Sequence, residues 1–194
     1  KITRLSCERD YRLLFDNLSF TLEAGSILRV AGKNGVGKTT LLRTIAGLYE
    51  IQEGEVIVGD QSVTEARQHI LYIGHRSQLT GDLRVLDNLQ FLAGHDDTCL
   101  KHALDNVGML GYYDSLVKEL SQGQGRRCAL ARLWCSDASI WILDEPYSAL
   151  DVSMIKTLDE KISSHVASGG ICLFTTHQQS TLSEFQTLEL GCVD

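Results

Sequence analysis

One short segment limits the fold of this chain more than any other. Residues 32–40 read GKNGVGKTT and match the pattern G-x-x-x-x-G-K-[ST] at Gly32, Gly37, Lys38 and Thr39. Glycines at these positions let backbone amides turn inward at the start of a helix, where they converge with the lysine on the β- and γ-phosphates of a nucleotide. The segment therefore predicts a site for a nucleoside triphosphate.

The segments around this loop have the pattern of an α/β domain. An apolar run at 27–30 predicts a buried strand before the loop, and apolar residues at helical spacing after Lys38 predict a helix that stops near Gly47. Alternation through Leu18, Phe20 and Leu22 predicts an N-terminal strand, and Tyr11 precedes it. Further strands are predicted at 55–58, 70–73, 140–143 and 171–175, with a crossover helix between the last two and a mostly helical segment over 85–134 that breaks near 94–97 and 108–114.

Two carboxylates follow the apolar run at 140–143. Asp144 and Glu145 stand at the carboxyl end of that predicted strand, where open α/β sheets bind ligands. Successive strand residues point to opposite sides, so the two side chains are expected to do different work. Asp144 suits Mg²⁺ beside Thr39, and Glu145 suits activation of the water that attacks the γ-phosphate.

Length and charge narrow the class of protein. The 194 residues suffice for one domain, and the net charge of −7 has the wrong sign for a chain that binds nucleic acid by charge. The apolar runs fall far below the roughly 18 residues that cross a bilayer, and no secretory leader is evident, so we expect a cytosolic chain. The cysteines form no C-x-x-C pair and are expected to be reduced and buried: Cys7, Cys99, Cys128, Cys135, Cys172 and Cys192.

Four further segments distinguish this chain from kinases, GTPases and motor ATPases. The segment Leu120, Ser121, Gln122, Gly123, Gln124 resembles the LSGGQ signature of the ATP-binding cassette (ABC) family. Ser148-Ala149-Leu150-Asp151 stands where that family has its D-loop, Thr175-Thr176-His177 where it has its switch histidine, and Gln78 where its Q-loop glutamine is expected. Together with the phosphate loop and the acidic pair, and in this order along the chain, these four segments closely resemble the motifs of the ABC family.

The resemblance implies a P-loop NTPase fold of the ABC type. We expect a single α/β domain over 1–194, with a RecA-like core, an N-terminal antiparallel β subdomain and a helical signature subdomain inserted at about 79–135. ATP and Mg²⁺ are the implied ligands. The phosphate loop is expected to bind ATP through Gly32, Lys33, Asn34, Gly35, Val36, Gly37, Lys38, Thr39 and Thr40, and Tyr11 to stack on the adenine.

The same resemblance implies a head-to-tail homodimer in which each ATP lies between the phosphate loop of one chain and the signature of the other. Ser121 and the amides around Gly123 are then expected to contact the partner's γ-phosphate, and Asp151 to act across the dimer contact. Glu145, His177 and Gln78 are the implied catalytic residues, and Thr39, Asp144 and Gln78 the implied metal ligands.

The chain departs from the ABC pattern in two places, the signature segment and the Q-loop. Gln122 stands where the family has a glycine, which strains the backbone if that position needs a positive φ. The Q-loop is short, which leaves both Gln78 and His75 as candidates for its functional residue.

With these departures the chain resembles the ATP-binding subunits of the bacterial cytochrome c maturation system. That resemblance implies a peripheral protein on the cytoplasmic face of the inner membrane, bound to an integral-membrane subunit of the heme exporter B type and to other cytochrome c maturation proteins. ATP hydrolysis would drive heme export or the release of a heme-loaded chaperone. The alternatives are the ATPase of another small exporter, a cassette protein acting on DNA or ribosomes, and a scaffold that binds nucleotide without hydrolysis.

Overall fold

The computed structural model describes residues 1–191 and contains two sheets and five α-helices within that range. The strands are β1 (Ile2–Arg9), β2 (Arg12–Phe20), β3 (Ile27–Ala31), β4 (Glu53–Val58), β5 (Gln61–Ser62), β6 (Ile70–Ile73), β7 (Ile140–Leu143), β8 (Ile171–Thr175) and β9 (Gln186–Glu189). The helices are α1 (Lys38–Ile45), α2 (Val85–Ala93), α3 (Asp97–Asn106), α4 (Gln122–Ala131) and α5 (Val152–Ala167).

The larger sheet is parallel and has the strand order β6-β7-β8-β3-β9. Strands β3, β7 and β8 are short apolar runs, as expected for strands that are covered on both faces. Their carboxyl ends lie side by side, so the phosphate loop, the acidic pair and the segment through His177 begin at one edge of the sheet.

The two faces of the parallel sheet are covered by different layers. Trp141 and Leu143 of β7 pack in a cluster with the helices of segment 79–135, whereas Ile142 packs in a second cluster with α1 and the N-terminal strands. Segment 79–135 therefore shares the core of the domain. Its helices α2, α3 and α4 agree with the predicted helical segment and its breaks.

The smaller sheet is antiparallel and has the order β2-β1-β4-β5. The sequence predicted β2 but not β1, and Tyr11 does not precede the first strand: it lies in the turn between β1 and β2. Register shifts interrupt the pairing of β1 with β2, and Arg4 has a φ of 47°. These irregularities break the alternation of apolar residues by which a strand is recognised.

The five cysteines among residues 1–191 are free, as expected, and four of them are buried: Cys7, Cys128, Cys135 and Cys172. Cys99 is only partly buried, contrary to the prediction, because it lies in the exposed first turn of α3. Cys192 lies outside the described residues. No helix within 1–191 combines the length and apolar character needed to cross a bilayer.

Candidate functional site

The phosphate loop connects β3 to α1. Gly37 is the N-cap of α1 with a φ of 112°, and a Cβ at this position would lie 3.1 Å from the Leu14 Cβ. Both facts require glycine here. The Lys38 ammonium group donates to the carbonyl oxygens of Gly32 at 2.7 Å and Lys33 at 3.2 Å. The loop thus curls around its own lysine at the positive end of a helix, which is the arrangement that binds phosphate.

Asp144 and Glu145 have different partners, as the strand geometry predicted. Asp144 is 1% exposed. Its carboxylate accepts hydrogen bonds from the hydroxyl of Thr39 at 2.9 Å and from that of Thr175, also at 2.9 Å. Glu145 has a φ of 52°, and its carboxylate accepts the His177 N–H at 3.2 Å. A nitrogen of the His177 ring lies 3.6 Å from the same carboxylate.

One cavity of about 590 Å³ joins these groups. Its walls are formed by Leu14, Asn34, Gly35, Gly37, Lys38, Thr39, Thr40, His75, Asp144, Glu145, Ser148, His177 and Gln178. A cation, a hydroxyl–carboxylate pair, a second carboxylate and a histidine thus face the same space. No cluster of three or more His, Cys, Asp or Glu side chains suited to a metal occurs within residues 1–191. The oxygen pair of Thr39 and Asp144 suits Mg²⁺, which keeps most of its ligands as water and phosphate oxygens.

Gln78 departs from its predicted place. It is absent from the walls of the cavity, and its side-chain oxygen accepts a hydrogen bond from Arg132 at 3.3 Å. Gln78 also has a φ of 60°, so the backbone turns sharply at this point. The residue of this short loop that does reach the cavity is His75.

Tyr11 also lies away from the phosphate site. It is fully exposed at the β1–β2 turn, with a φ of 59°, and it lines a separate cavity of about 730 Å³ with Glu8 and Asp16. Leu14 of β2 lines the cavity at the phosphate loop, and Phe15 of the same strand packs against Gly37. The structure therefore does not bring Tyr11 and the phosphate loop into one cavity.

The predicted signature segment forms the start of α4. Ser121 is the N-cap: its hydroxyl accepts the Gln124 N–H at 3.3 Å, and the Gln124 side chain accepts the Ser121 N–H at 2.8 Å. Gln122 is the first residue of the helix and is not among the residues with positive φ, so the strain considered for it does not arise. A Cβ on Gly123 would lie 2.8 Å from the Ala149 carbonyl oxygen. Glycine at this position lets α4 pack on the chain's own D-loop.

The predicted D-loop residue Asp151 is the N-cap of α5. Its carboxylate accepts the Met154 N–H at 2.8 Å and the Ser153 hydroxyl at 2.8 Å, and these bonds hold the pKa of Asp151 below its usual range. Arg127, on α4, forms an ion pair with the same carboxylate. The D-loop is therefore attached to the signature helix at a second point.

Sequence reasoning missed Arg126, which links the signature helix to the acidic pair. It is 4% exposed, and its guanidinium donates to the carbonyl oxygens of Gly74 at 2.6 Å, Glu145 at 2.8 Å and Asp144 at 2.9 Å. Burial lowers the pKa of Arg126 to about 10. An arginine directly before an apolar helical run was the available signal, but its partners are 18 to 52 residues away in sequence.

A phosphate loop, an acidic strand end, a switch histidine and a signature helix on one α/β domain define an ABC-type ATP-binding domain. The sequence family described as ABC transporter matches residues 15–148, and the chain belongs to this family. A solved structure with the same fold, a putative ABC transporter ATP-binding protein from Pyrococcus furiosus, is 26% identical, with a TM-score of 0.83, over 97% of this chain and 96% of the other.

Curated relatives give a narrower comparison. The chain is 44% identical to the cytochrome c biogenesis ATP-binding export protein CcmA of Escherichia coli O157:H7, over 95% of this chain and 91% of the relative. It is 45% identical to the protein of the same name from strain K12, over 93% of this chain and 89% of the relative. A cassette solved as a dimer in a post-hydrolysis state with ADP and Pi has the same fold, at 19% identity and a TM-score of 0.86 over 97% of this chain and 93% of the other.

Proposed function

We propose that this chain is the ATP-hydrolysing subunit of an ABC transporter that serves cytochrome c biogenesis. The observation that carries the proposal is the single cavity onto which Lys38, Thr39, Asp144, Glu145 and His177 all face. The assignment to cytochrome c biogenesis is supported by the 44–45% identity to relatives named for that process, over nearly the whole chain.

The phosphate loop binds the β- and γ-phosphates of ATP through its backbone amides and Lys38. Thr39 and Asp144 would hold Mg²⁺, which neutralises phosphate charge when it is bound. Glu145 takes a proton from the attacking water, and His177 orients that water and donates to the γ-phosphate. The contact between His177 and Glu145 supports this division of work, since it fixes the base and the orienting group together.

A second copy of the chain completes each site in this proposal. Ser121 and the amides around Gly123 lie at the N-terminus of α4, where a helix stabilises negative charge. In a head-to-tail homodimer they face the γ-phosphate held by the other chain, and Asp151 lies at the dimer contact.

The working complex also contains an integral-membrane subunit of the heme exporter B type and other cytochrome c maturation proteins, with this chain on the cytoplasmic face of the inner membrane. The free energy of ATP hydrolysis drives heme export or the release of a heme-loaded chaperone.

Replacement of Glu145 by glutamine tests the catalytic assignment. Glutamine keeps the size of the side chain but cannot accept the proton, so we expect ATP hydrolysis to fall on the order of 100-fold or more while ATP stays bound in a closed dimer. Phosphate release and size-exclusion chromatography with ATP measure the two effects. Glu50→Gln, at an exposed position outside the cavity, is the matched control. Hydrolysis at the parent rate in Glu145→Gln would show that the assignment is wrong.

Co-purification tests the proposed process. The chain is expected to be recovered with a membrane subunit of the cytochrome c maturation system when both are expressed together. Recovery with the membrane subunit of a different small exporter instead would favour that alternative function.

A further inference from the structure

The segment after His177 is held in place without secondary structure of its own. Residues 176–185 contain no helix or strand, and β9 begins only at Gln186. His177 therefore depends on contacts made by this segment for its position beside Glu145.

Asp159 makes polar contacts that hold this segment against the rest of the domain. It lies on α5, is 3% exposed, and forms no salt bridge within the described range 1–191. One oxygen of its carboxylate accepts the Tyr147 hydroxyl at 2.5 Å. The other accepts both the N–H and the hydroxyl of Thr181, at 2.6 and 2.8 Å. Three donors thus satisfy the two oxygens of this buried carboxylate.

The partners of Asp159 belong to the two segments that carry the catalytic pair. Tyr147 follows Glu145 by two residues and is fully buried, and Thr181 follows His177 by four. Since His177 in turn donates to Glu145, the contacts close a ring: Glu145, Tyr147, Asp159, Thr181, His177 and back to Glu145.

Aromatic packing connects the same two segments. The ring of Tyr147 lies edge-on to Phe174 at 6.0 Å between centroids, and Phe174 lies edge-on to Phe185 at 5.9 Å. This packing holds the end of the segment at Phe185, but it does not orient the backbone near His177. The directional bonds are those of Asp159.

We propose that Asp159 is a positioning residue for ATP hydrolysis, which holds His177 against Glu145 by bonding Tyr147 on one side and Thr181 on the other. The proposal rests on the proposed function of Glu145 and His177. An asparagine at 159 replaces one of the two acceptor oxygens with an NH2 group, so it can accept on the Tyr147 side or on the Thr181 side but not on both.

Asp159→Asn is the principal test, with steady-state ATP hydrolysis by the full chain as one readout. We expect kcat to fall roughly tenfold, because a misplaced catalytic group slows the chemical step, while the KM for ATP stays within about twofold. Glu160→Gln removes a charge from the next residue on the same helix, where it is exposed, and should leave both values unchanged. In a His177→Ala background, Asp159→Asn should cause no further loss, because Asp159 acts through His177.

Hydrogen–deuterium exchange gives a readout that does not depend on catalysis. Peptides covering 177–185 should exchange roughly tenfold faster in Asp159→Ala than in Glu160→Gln, since alanine has no acceptor for the Thr181 amide, while peptides over α2 should be unaffected. Tyr147→Phe, which keeps the carboxylate and the ring packing, should change both readouts in the same direction by less.

Unchanged exchange over 177–185 in Asp159→Ala overturns the proposal, and so does a further loss of rate from Asp159→Asn in the His177→Ala background. A parent chain that does not hydrolyse ATP contradicts the proposed function instead. The exchange measurement then decides by itself whether Asp159 holds the segment.

Discussion

Replacement of Arg126 by methionine tests the contacts that join helix α4 to the catalytic segments. The Arg126 guanidinium donates to three carbonyl oxygens at less than 3 Å: those of Gly74, Asp144 and Glu145. Methionine has a similar length and no donor. It therefore keeps the packing of the apolar part of the side chain and removes the hydrogen bonds.

The size of the effect follows from these contacts. The Glu145 carbonyl keeps the Ser148 N–H as a donor at 3.2 Å, so the carbonyls of Gly74 and Asp144 are the ones left without a donor. Each costs about 1–2 kcal/mol, and the two together about 2–4 kcal/mol. Part of this is offset, because the low pKa of Arg126 means that the buried cation is itself held at a cost. We expect the free energy of unfolding to fall by about 2 kcal/mol, which for a chain of this length lowers Tm by about 4–8 °C.

Urea unfolding followed by circular dichroism measures the free energy, and calorimetry measures Tm. Arg127→Met is the matched control on the same helix. Its ion pair with Asp151 is at the surface, with the Asp151 side chain 56% exposed, so the loss should stay under about 1 kcal/mol. If Arg126→Met loses no more stability than Arg127→Met, the carbonyl contacts do not stabilise the fold as argued.

Two further predictions concern positions on helix α4. Gly123→Ala should lower both ATP hydrolysis and stability, by about 1–3 kcal/mol for the latter, because its Cβ would meet the Ala149 carbonyl oxygen at 2.8 Å. Gly125→Ala, whose Cβ would meet nothing within 4 Å, should be neutral or stabilising in the same unfolding assay, and equal losses in both variants would contradict this account. Burial raises the pKa of the Cys128 thiol to about 12, so above pH 9 this thiol ionises only on unfolding and stability falls as pH rises. The parent should therefore lose about 1.2 kcal/mol per pH unit more than Cys128→Ala between pH 9 and 10.5 in urea unfolding, and parallel pH profiles would be evidence against it.

The sequence predicted those parts of the site that lie at the ends of regular elements. Lys38, Asp144 and His177 each follow an apolar strand, and parallel strands bring their carboxyl ends together whatever the details of packing. The strands β1, β5 and β9 escaped prediction because bulges or shortness obscure their pattern.

Residues in loops were harder to place because distant side chains decide where they lie. Gln78 stands at the expected position in the chain, but Arg132, 54 residues further on, is its hydrogen-bond partner. Tyr11 was assigned by its order before β2, and the β1–β2 turn directs it to a different cavity. The contacts of Arg126 and Asp159 likewise join residues that no local pattern connects.

The attachment of helix α4 has a consequence for how the nucleotides are used. Ser121 begins this helix, and Arg126 on the same helix is bonded to the backbone of Asp144 and Glu145. In a head-to-tail pair of chains these two ends of one rigid unit face different nucleotides. Coupling between binding sites is reciprocal, so each nucleotide must influence the other to the same degree. Such a pair is expected to respond when two ATP molecules are bound together. Its response should then rise above a threshold ATP concentration, and not in proportion to each single molecule bound.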